Sequence, residues 1–216
     1  FGKDSSIIVN ASPDLQVTSC QKKEKDIVMT YAGSFYYKRS DVLGKLALSI
    51  KTFNERNLGD KAILLLYSNS EPTDEIRNVI CIEGGSRYEG SLNRDELVER
   101  LNTSDYLVFV ESFDEAQIEK VQYSLSTKIP EYLSVGKAII AIGPEKIGSM
   151  DYLQDVAICI TDPESIQDKI HEILMNKAER DRYSQLARNK YLLNHNVKRL
   201  QNEFYRNVFG IEEDIT

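Results

Sequence analysis

Small, hydroxyl and cationic residues follow one apolar stretch of this 216-residue sequence. In the segment YAGSFYYKRSD, Gly33 and Ser34 come directly after the apolar residues, and Lys38 and Arg39 follow just before a predicted helix. A glycine lets the backbone approach a ligand closely, and cations at a helix entrance add to the positive end of the helix dipole. The segment indicates a diphosphate site, although taken alone it also fits a plain strand-to-helix turn with two solvated cations.

A second segment, STKIPEYLSVGKAIIAIG, places a cation and a carboxylate one helical turn apart. Ser126 and Thr127 can cap a short helix whose first turn contains Lys128, an unfavourable place for a cation unless an anion lies nearby. Glu131 falls on the same helix face, and a carboxylate that accepts from two vicinal hydroxyls is a common way to hold ribose. The competing interpretation is a surface Lys–Glu pair within one helix.

Six short apolar segments supply the elements that must position these residues. Each is rich in Val, Ile and Leu with little alternation, which is typical of parallel strands buried on both faces. We therefore predict a doubly wound, mainly parallel, Rossmann-like α/β sheet of about six strands with helices on both faces and ligands at the carboxyl ends of the strands. The predicted strands are DIVMTYAG ending near Tyr31, AILLLYS at 62–68, VICIEG at 79–84, YLVFVE at 106–111, AIIAIG at 138–143 and AICIT at 157–161.

Capping residues and apolar periodicity predict the helices between these strands. Polar side chains at a helix start satisfy the free N–H groups of the first turn, and glycine often ends a helix in a left-handed conformation. The predicted features are an N-cap at Ser40, an Asn93–Glu96 capping box, a helix start at Asp162–Pro163, a helix end at Gly136, and a long helical region over 178–208 with a break near 194–196.

Charge and composition argue against several classes of protein. Lys and Arg total 27 and Asp and Glu total 34, so the net charge of −7 disfavours a nucleic-acid-binding surface. No apolar run approaches the ~18 residues of a membrane span. Three widely spaced cysteines at 20, 81 and 159 predict neither a disulfide framework nor a metal site, and they fit a cytoplasmic location.

Three regions follow from these patterns. We predict a polar lead-in or interdomain segment over 1–26, a Rossmann-like domain over 27–208 and an acidic tail over 209–216. Because the sequence starts at Phe1 without an initiator Met, we expect it to be a piece of a longer protein.

The second segment resembles the P-S-K-x-x-E-Y-x-x-x-G-K-P-I-I-A stretch of group-1 glycosyltransferases of the GT-B type. Three further segments resemble that family in the same order: YAGSFYYKR, YEGSLNRDELVERLNTSDYLVFV and AERDRYSQLARNKYLLNHN. Together they cover about 27–208 and correspond to the C-terminal, donor-binding half of a two-domain enzyme. The matching positions in the second segment are Thr127, Lys128, Glu131, Tyr132, Leu133, Gly136, Lys137, Ile139, Ile140 and Ala141.

The resemblance implies a role for each candidate residue. Glu131 would bind the ribose hydroxyls, and Arg39 or Lys38 would be the phosphate cation, with the family spacing after Gly33 favouring Arg39. By the same resemblance, Arg39, Lys128 and Glu131 are the implied catalytic residues. The other implied contacts are backbone of Gly33 and Ser34 with the phosphates, Thr127 and Lys128 with the distal phosphate, and backbone near Ser91 and Leu92 with the base.

The implied activity is transfer of a sugar from a nucleoside-diphosphate sugar to an acceptor hydroxyl, with retention of configuration. It would need no metal and no cofactor besides this donor, and surface polysaccharide is the implied product class. The partner would be a missing N-terminal acceptor-binding domain, through which any peripheral membrane contact would occur. A receiver-like signalling domain is disfavoured by YAGSF after the first strand, and a dehydrogenase by the absent glycine fingerprint.

One departure from the family pattern keeps a second hypothesis open. Many family members have a Glu-x7-Glu pair whose earlier Glu touches the donor sugar, whereas Tyr123 stands eight residues before Glu131. The alternative is therefore a degenerate module that binds a nucleotide sugar without transferring it.

Overall fold

The computed structural model describes residues 9–17, 25–57 and 59–209, in which six strands alternate with helices. The strands are β1 Ile27–Ala32, β2 Ala62–Tyr67, β3 Ser86–Gly90, β4 Tyr106–Val110, β5 Ala138–Ile142 and β6 Ile158–Ile160. The helices are α1 Arg39–Arg56, α2 Asp74–Ile80, α3 Arg94–Thr103, α4 Glu115–Val121, α5 Lys128–Val135, α6 Gly148–Leu153, α7 Ile166–Met175, α8 Lys177–Asn194 and α9 Val197–Phe209.

The six strands form one sheet in the order β3-β2-β1-β4-β5-β6, and all neighbouring pairs are parallel. This confirms the predicted doubly wound, Rossmann-like α/β fold. The strand order changes direction between β1 and β4, and a sheet of this kind binds ligands beyond the carboxyl ends of its strands at that switch point.

Helices cover both faces of the sheet because its central strands are apolar on both sides. One core joins alternate strand residues such as Met29, Leu64 and Ile140 to helices α1 and α7. The opposite core joins Leu107 and Ile139 to helices α3, α5, α6 and α8. The central strands β4 and β5 have no exposed residue, as the unalternating apolar runs predicted.

The third predicted strand was wrong. Residues 79–84 complete helix α2 and the turn after it, and β3 lies at Ser86–Gly90. Thr73 caps α2 by accepting a hydrogen bond from the backbone N–H of Ile76, and Ile80 is buried on the inner face of that helix. Strand β3 is at the edge of the sheet, where one face meets solvent, so it has the polar sequence SRYEG instead of an apolar run.

Two predicted helix starts also differ from the structure. Helix α1 begins at Arg39, with Lys38 rather than Ser40 at the N-cap, because Tyr37 and Lys38 both adopt left-handed conformations. Helix α7 begins at Ile166, since the backbone at Asp162 and Ser165 makes a turn of its own first.

Three further helix predictions are confirmed, whereas Thr127 stands at the N-cap of α5 without a side-chain capping hydrogen bond. Asn93 and Glu96 form a complete capping box at α3. Gly136 ends α5 with a φ of 71°. The long C-terminal helical region is divided into α8 and α9 at residues 195–196, as its sequence predicted.

Residues 9–17 of the predicted lead-in pack on the domain. Asn102 at the end of α3 accepts from Val17 N–H at 2.8 Å and donates to Leu15 O at 2.7 Å. Arg188 of α8 forms an ion pair with Asp14. Cys81 and Cys159 are half-buried free thiols, whereas Cys20 and the acidic tail lie outside the described residues. Within the described ranges, no helix is long and apolar enough to cross a membrane.

Candidate functional site

A cavity of about 390 Å³ opens at the carboxyl ends of β1 and β2, beside the first turn of α5. It therefore adjoins the switch point of the sheet. Three separate chain segments predicted from sequence meet there, contributed by the β1–α1 turn, the connection after β3 and the start of α5. The lining residues are Ala32, Gly33, Ser34, Tyr67, Ser68, Asn69, Ser70, Leu92, Leu97, Thr127, Lys128, Glu131 and Tyr132.

Lys128 is the cation of this cavity, and Gly33 makes room for it. A Cβ atom on Gly33 would overlap the Lys128 ammonium group and the Tyr31 ring. The Gly33 N–H donates to Tyr67 O at 2.9 Å, so it is already engaged within the protein. The contribution of Gly33 to the cavity is therefore the absence of a side chain, which leaves room for Lys128. Burial lowers the pKa of Lys128, and the neighbouring Arg39 lowers it further, while Glu111 and Glu131 act in the opposite direction.

Glu131 faces the same cavity from one turn further along α5. The competing sequence interpretation was a surface salt bridge between Glu131 and Lys128. Instead, the Glu131 carboxylate forms an ion pair with Arg94 of α3. The Glu131 side chain retains 28% of its exposure, so it can still accept hydrogen bonds from a ligand in the cavity. The role of Arg94 was not predicted, since nothing in the sequence pairs residues 37 positions apart.

Arg39 lies beside the cavity and is engaged by an acid that the sequence analysis did not identify. Its Nε donates to Glu111 Oε2 at 3.0 Å, and its Nη2 donates to Oε1 at 2.9 Å and to Oε2 at 2.8 Å. Burial raises the pKa of Glu111, while Arg39 and Lys128 favour its ionised form. Lys38 forms an ion pair with Asp114 at the exposed rim.

The structure thus brings together most of the predicted site residues. Six of them line the cavity: Gly33, Ser34, Leu92, Thr127, Lys128 and Glu131. Arg39 and Lys38 stand outside its lining and contact the acids after β4. Ser91 is exposed and does not line the cavity. Whether these residues bind a ligand stays a prediction.

Sequence reasoning missed the last residue of β2 and the three residues that follow it. Tyr67, Ser68, Asn69 and Ser70 form the wall opposite α5. The sequence did contain a signal for this wall, because these residues lie at the carboxyl end of an apolar run, where a ligand was expected to bind. Ser68 is buried and accepts a hydrogen bond from Ser70 N–H at 3.2 Å, so this connection forms a tight polar turn.

Two buried tyrosines fix the floor of the cavity. Tyr31 Oη donates to Ser34 O at 2.6 Å, and Tyr132 Oη accepts from Ala32 N–H at 3.2 Å. Burial raises the pKa of both phenols, so both remain neutral. The β1–α1 turn is therefore tied to its own strand and to α5, and its backbone is held in place before any ligand arrives.

Comparison with solved structures identifies the fold. WaaG, a glycosyltransferase involved in lipopolysaccharide biosynthesis, aligns with a TM-score of 0.66 at 13% identity over 94% of this chain and 55% of its own. TarM aligns with a TM-score of 0.63 at 15% identity over 95% of this chain and 38% of its own. The C-terminal domain of LpcC, a group 1 glycosyltransferase from Francisella tularensis, aligns with a TM-score of 0.54 at 10% identity over 79% of this chain and 86% of its own.

The extent of these alignments defines which part of the enzymes is matched. The chain spans about half the length of WaaG, whereas it covers most of the isolated LpcC domain. No protein-family description and no curated protein matches the sequence. The six-stranded parallel sheet, its strand order and these alignments show that the chain has the fold of the C-terminal domain of a group-1, GT-B type glycosyltransferase.

Proposed function

We propose that this chain is the donor-binding domain of a glycosyltransferase that moves a sugar from a nucleoside-diphosphate sugar to an acceptor hydroxyl. The observation that carries the proposal is the cavity at the sheet edge, in which Lys128 and Glu131 lie on one helix face opposite the β1–α1 turn. A cation for phosphate and a carboxylate for ribose are the two groups that a nucleoside diphosphate requires. HepE from Anabaena, solved in complex with UDP and glucose, has a similar fold with a TM-score of 0.59 at 11% identity.

Lys128 and Arg39 have the charge needed to stabilise the leaving diphosphate. As the bond to the sugar breaks, negative charge develops on the terminal phosphate oxygen, and fixed cations in a partly buried site stabilise that charge. Helix α5 begins in the lining of the cavity at Thr127 and Lys128, so its N-terminus adds partial positive charge there. We propose on this basis, and by resemblance, a retaining transfer that needs no metal ion.

The acceptor would be held by a second domain that faces this one. In this proposal the chain is half of an active enzyme of the cytoplasm, engaged in surface polysaccharide synthesis. Its partners are the nucleotide sugar and the acceptor domain, through which any membrane contact would be made, and nucleic acid is not among them. The net charge of −7 supports the last statement.

A non-catalytic nucleotide-sugar-binding module is the second candidate. The observation that favours it is Tyr123, which stands where many family members have the earlier Glu and is 92% exposed. Turnover separates the two candidates, because a binding module complemented with an acceptor domain would hold the nucleotide sugar without consuming it.

Calorimetry with separate ligand fragments tests the binding site. We expect UDP or GDP to bind with a Kd of about 0.1–1 mM, or about −4 to −5.5 kcal/mol, since only half of a cleft is present. Ribose 5-phosphate and inorganic diphosphate serve as the fragments, and a chelator keeps metal ions out of the measurement. Absence of diphosphate binding at millimolar concentration would contradict the site assignment.

Two variants assign the ligand parts. Arg39→Ala should weaken diphosphate-containing ligands by about 1.5–3 kcal/mol, because a charge-assisted contact to phosphate is lost, and should spare the nucleoside. Glu131→Gln should weaken ribose-containing ligands and spare inorganic diphosphate. Glu99→Gln, on the far part of α3, is the matched charge control. Equal losses for every ligand in both variants would refute this division.

A further inference from the structure

A buried carboxylate lies beside the phosphate end of the proposed site. Glu111 follows directly after β4 and is only 5% exposed, whereas carboxylates are rarely buried unless they are paired. Its pair with Arg39 occupies Nε and Nη2 of the guanidinium and leaves Nη1 outside the pair. A bidentate contact of this kind fixes both the position and the orientation of the guanidinium plane.

The pair joins two loops across the switch point of the sheet. Arg39 comes from the turn after β1 and Glu111 from the turn after β4, and these two neighbouring strands are where the strand order changes direction. Tyr37 and Lys38, directly before Arg39, have φ angles of 61° and 56°. Left-handed backbone is unfavourable for residues with a side chain, so contacts must hold this turn. The buried pair Arg39–Glu111 is one of those contacts, beside the hydrogen bonds from Arg39 N–H to Tyr36 O and from Ser40 N–H to Phe35 O.

Glu111 also sets the charge of the phosphate region. Arg39, Lys128 and Glu111 act on one another electrostatically. With Glu111 ionised, the two cations and one carboxylate have a formal charge of +1. Two cations alone would attract an anion more strongly, and the attraction would rise with every additional charge on that anion.

The donor and the product of the proposed reaction differ in charge. A nucleoside-diphosphate sugar has about two negative charges, one on each diester phosphate. The free nucleoside diphosphate has about three near pH 7.5, because its terminal phosphate loses a second proton with a pKa of about 6. A site with unopposed cations would therefore hold the product more tightly than the donor and would release it slowly.

Building on the proposed function, we propose that Glu111 is a specificity-determining residue that offsets the charge of Arg39 and Lys128 and so reduces the preference of the site for free nucleoside diphosphate over the sugar donor. Glu111 does not line the cavity, so it would act through its charge and through its contact with Arg39. The quantity that reports this role is the ratio of two dissociation constants, Kd of UDP-glucose divided by Kd of UDP.

Two substitutions separate the charge of Glu111 from its positioning of Arg39. Glu111→Gln removes the charge and keeps the shape and one acceptor oxygen, whereas Glu111→Asp keeps the charge and shortens the reach. We expect the ratio to rise about threefold to tenfold in Glu111→Gln, since one fixed charge acts on one additional ligand charge in a partly buried site. In Glu111→Asp the ratio should stay within about twofold of the wild-type value.

A double variant allows the same test if Glu111→Gln alone folds poorly. Arg39→Gln combined with Glu111→Gln leaves no unpaired buried charge, and the local formal charge stays at +1 through Lys128. The ratio should then remain within about twofold of wild type even though both affinities fall. Glu99→Gln, on the exposed side of α3, is the control for removal of an acid away from the site, and its ratio should stay at the wild-type value.

The measurements are calorimetric titrations of UDP and UDP-glucose into this chain and each variant at pH 7.5, with thermal unfolding to verify folding. An unchanged ratio in Glu111→Gln, or an equal rise in Glu111→Gln and Glu111→Asp, would overturn the charge role. Failure of the wild-type chain to bind UDP, UDP-glucose and GDP alike would instead overturn the proposed function, so the two failures are distinguishable.

Discussion

At the scale of single residues, the site depends on the space around a lysine. Lys128 stands at the start of a helix, where its charge opposes the helix dipole, and it lies over the Tyr31 ring with Nζ 5.8 Å from the ring centroid. Gly33 leaves room for it, and the tyrosine hydroxyl fixes the turn from below. A side chain at Gly33 would therefore displace the Lys128 ammonium group from its position in the cavity.

Gly33→Ala should weaken binding and lower stability together. The new methyl group would meet the rigid ring of Tyr31 as well as the end of Lys128, so the lysine must leave its position and the turn must shift. Overpacking of this kind costs about 1–3 kcal/mol in the free energy of unfolding. Calorimetry with inorganic diphosphate and chemical denaturation measure the two effects.

Gly59→Ala is the matched control, because its Cβ would meet only Asn57 Oδ1 at 3.6 Å. We expect its stability to remain within about 0.5 kcal/mol of wild type. Gly33→Ala with wild-type diphosphate affinity would show that Lys128 does not depend on the space at Gly33.

At the scale of elements, a buried histidine holds the first described residues against the junction of α8 and α9. His195 is fully buried, its Nδ1 lies 2.6 Å from Asn10 O, and its Nε2 lies 2.8 Å from Tyr152 Oη. Tyr152 Oη in turn accepts from Asn194 Nδ2 at 2.9 Å. Burial favours the neutral imidazole, and in that form the Asn10 carbonyl places the proton on Nδ1 and leaves Nε2 to accept from Tyr152.

The free energy of unfolding should therefore depend on His195 in mild acid. Burial lowers the pKa of His195 below its usual 6.5, so the unfolded chain takes up a proton first as the pH falls. The contribution of the neutral imidazole is fully present above pH 6.5 and is lost as the pH falls through the folded-state pKa. Denaturation of wild type and His195→Gln at pH 7.5 and at two pH values below 6.5 measures it.

Glutamine retains a donor and an acceptor but does not titrate, so the difference in stability between wild type and His195→Gln should shrink in acid. The carboxylates titrate alike in both proteins and cancel in that difference. A difference that stays constant across the series would show that His195 does not titrate on unfolding.

At the scale of the whole molecule, the chain has a complete core but an open cleft. Helices cover both sheet faces, so the described residues enclose a hydrophobic core on each side of the sheet. The proposed donor cavity, by contrast, opens at the edge of the sheet, where the proposed acceptor domain would face it. Helix α9 has no buried residue, and Phe204, Val208 and Phe209 on it are exposed.

We expect this chain alone to bind nucleotide sugars but not to transfer them. Holding two reactants in the correct geometry can lower a barrier by about 7–11 kcal/mol, and a domain that holds only the donor lacks nearly all of that contribution. Open access of water also weakens the electrostatic stabilisation of the leaving diphosphate.

The measurement is transfer of radiolabelled sugar to a crude acceptor extract, by this chain and by a protein that contains it together with an acceptor domain. Sustained transfer by this chain at the rate of the larger protein would contradict the half-enzyme proposal.

The sequence was sufficient to predict the fold class and three of the four segments that line the cavity. Unalternating apolar runs such as those of β4 and β5 indicate strands that are covered on both faces, which is typical of parallel sheets with crossover helices. Local signals were also sufficient for the Asn93–Glu96 capping box and the Gly136 helix end, because their partners lie within four residues. Local patterns misplaced β3, since an edge strand needs no apolar run.

The pairing of the charged groups around the cavity depends on the three-dimensional arrangement of the strands. Glu111 meets Arg39 across 72 positions, Arg94 meets Glu131 across 37, and Lys38 meets Asp114 across 76. These partners come from different strand ends, and the parallel sheet brings them to one edge. Local periodicity does not predict these ion pairs, because they depend on the strand order, and the strand order depends on the packing of the whole domain.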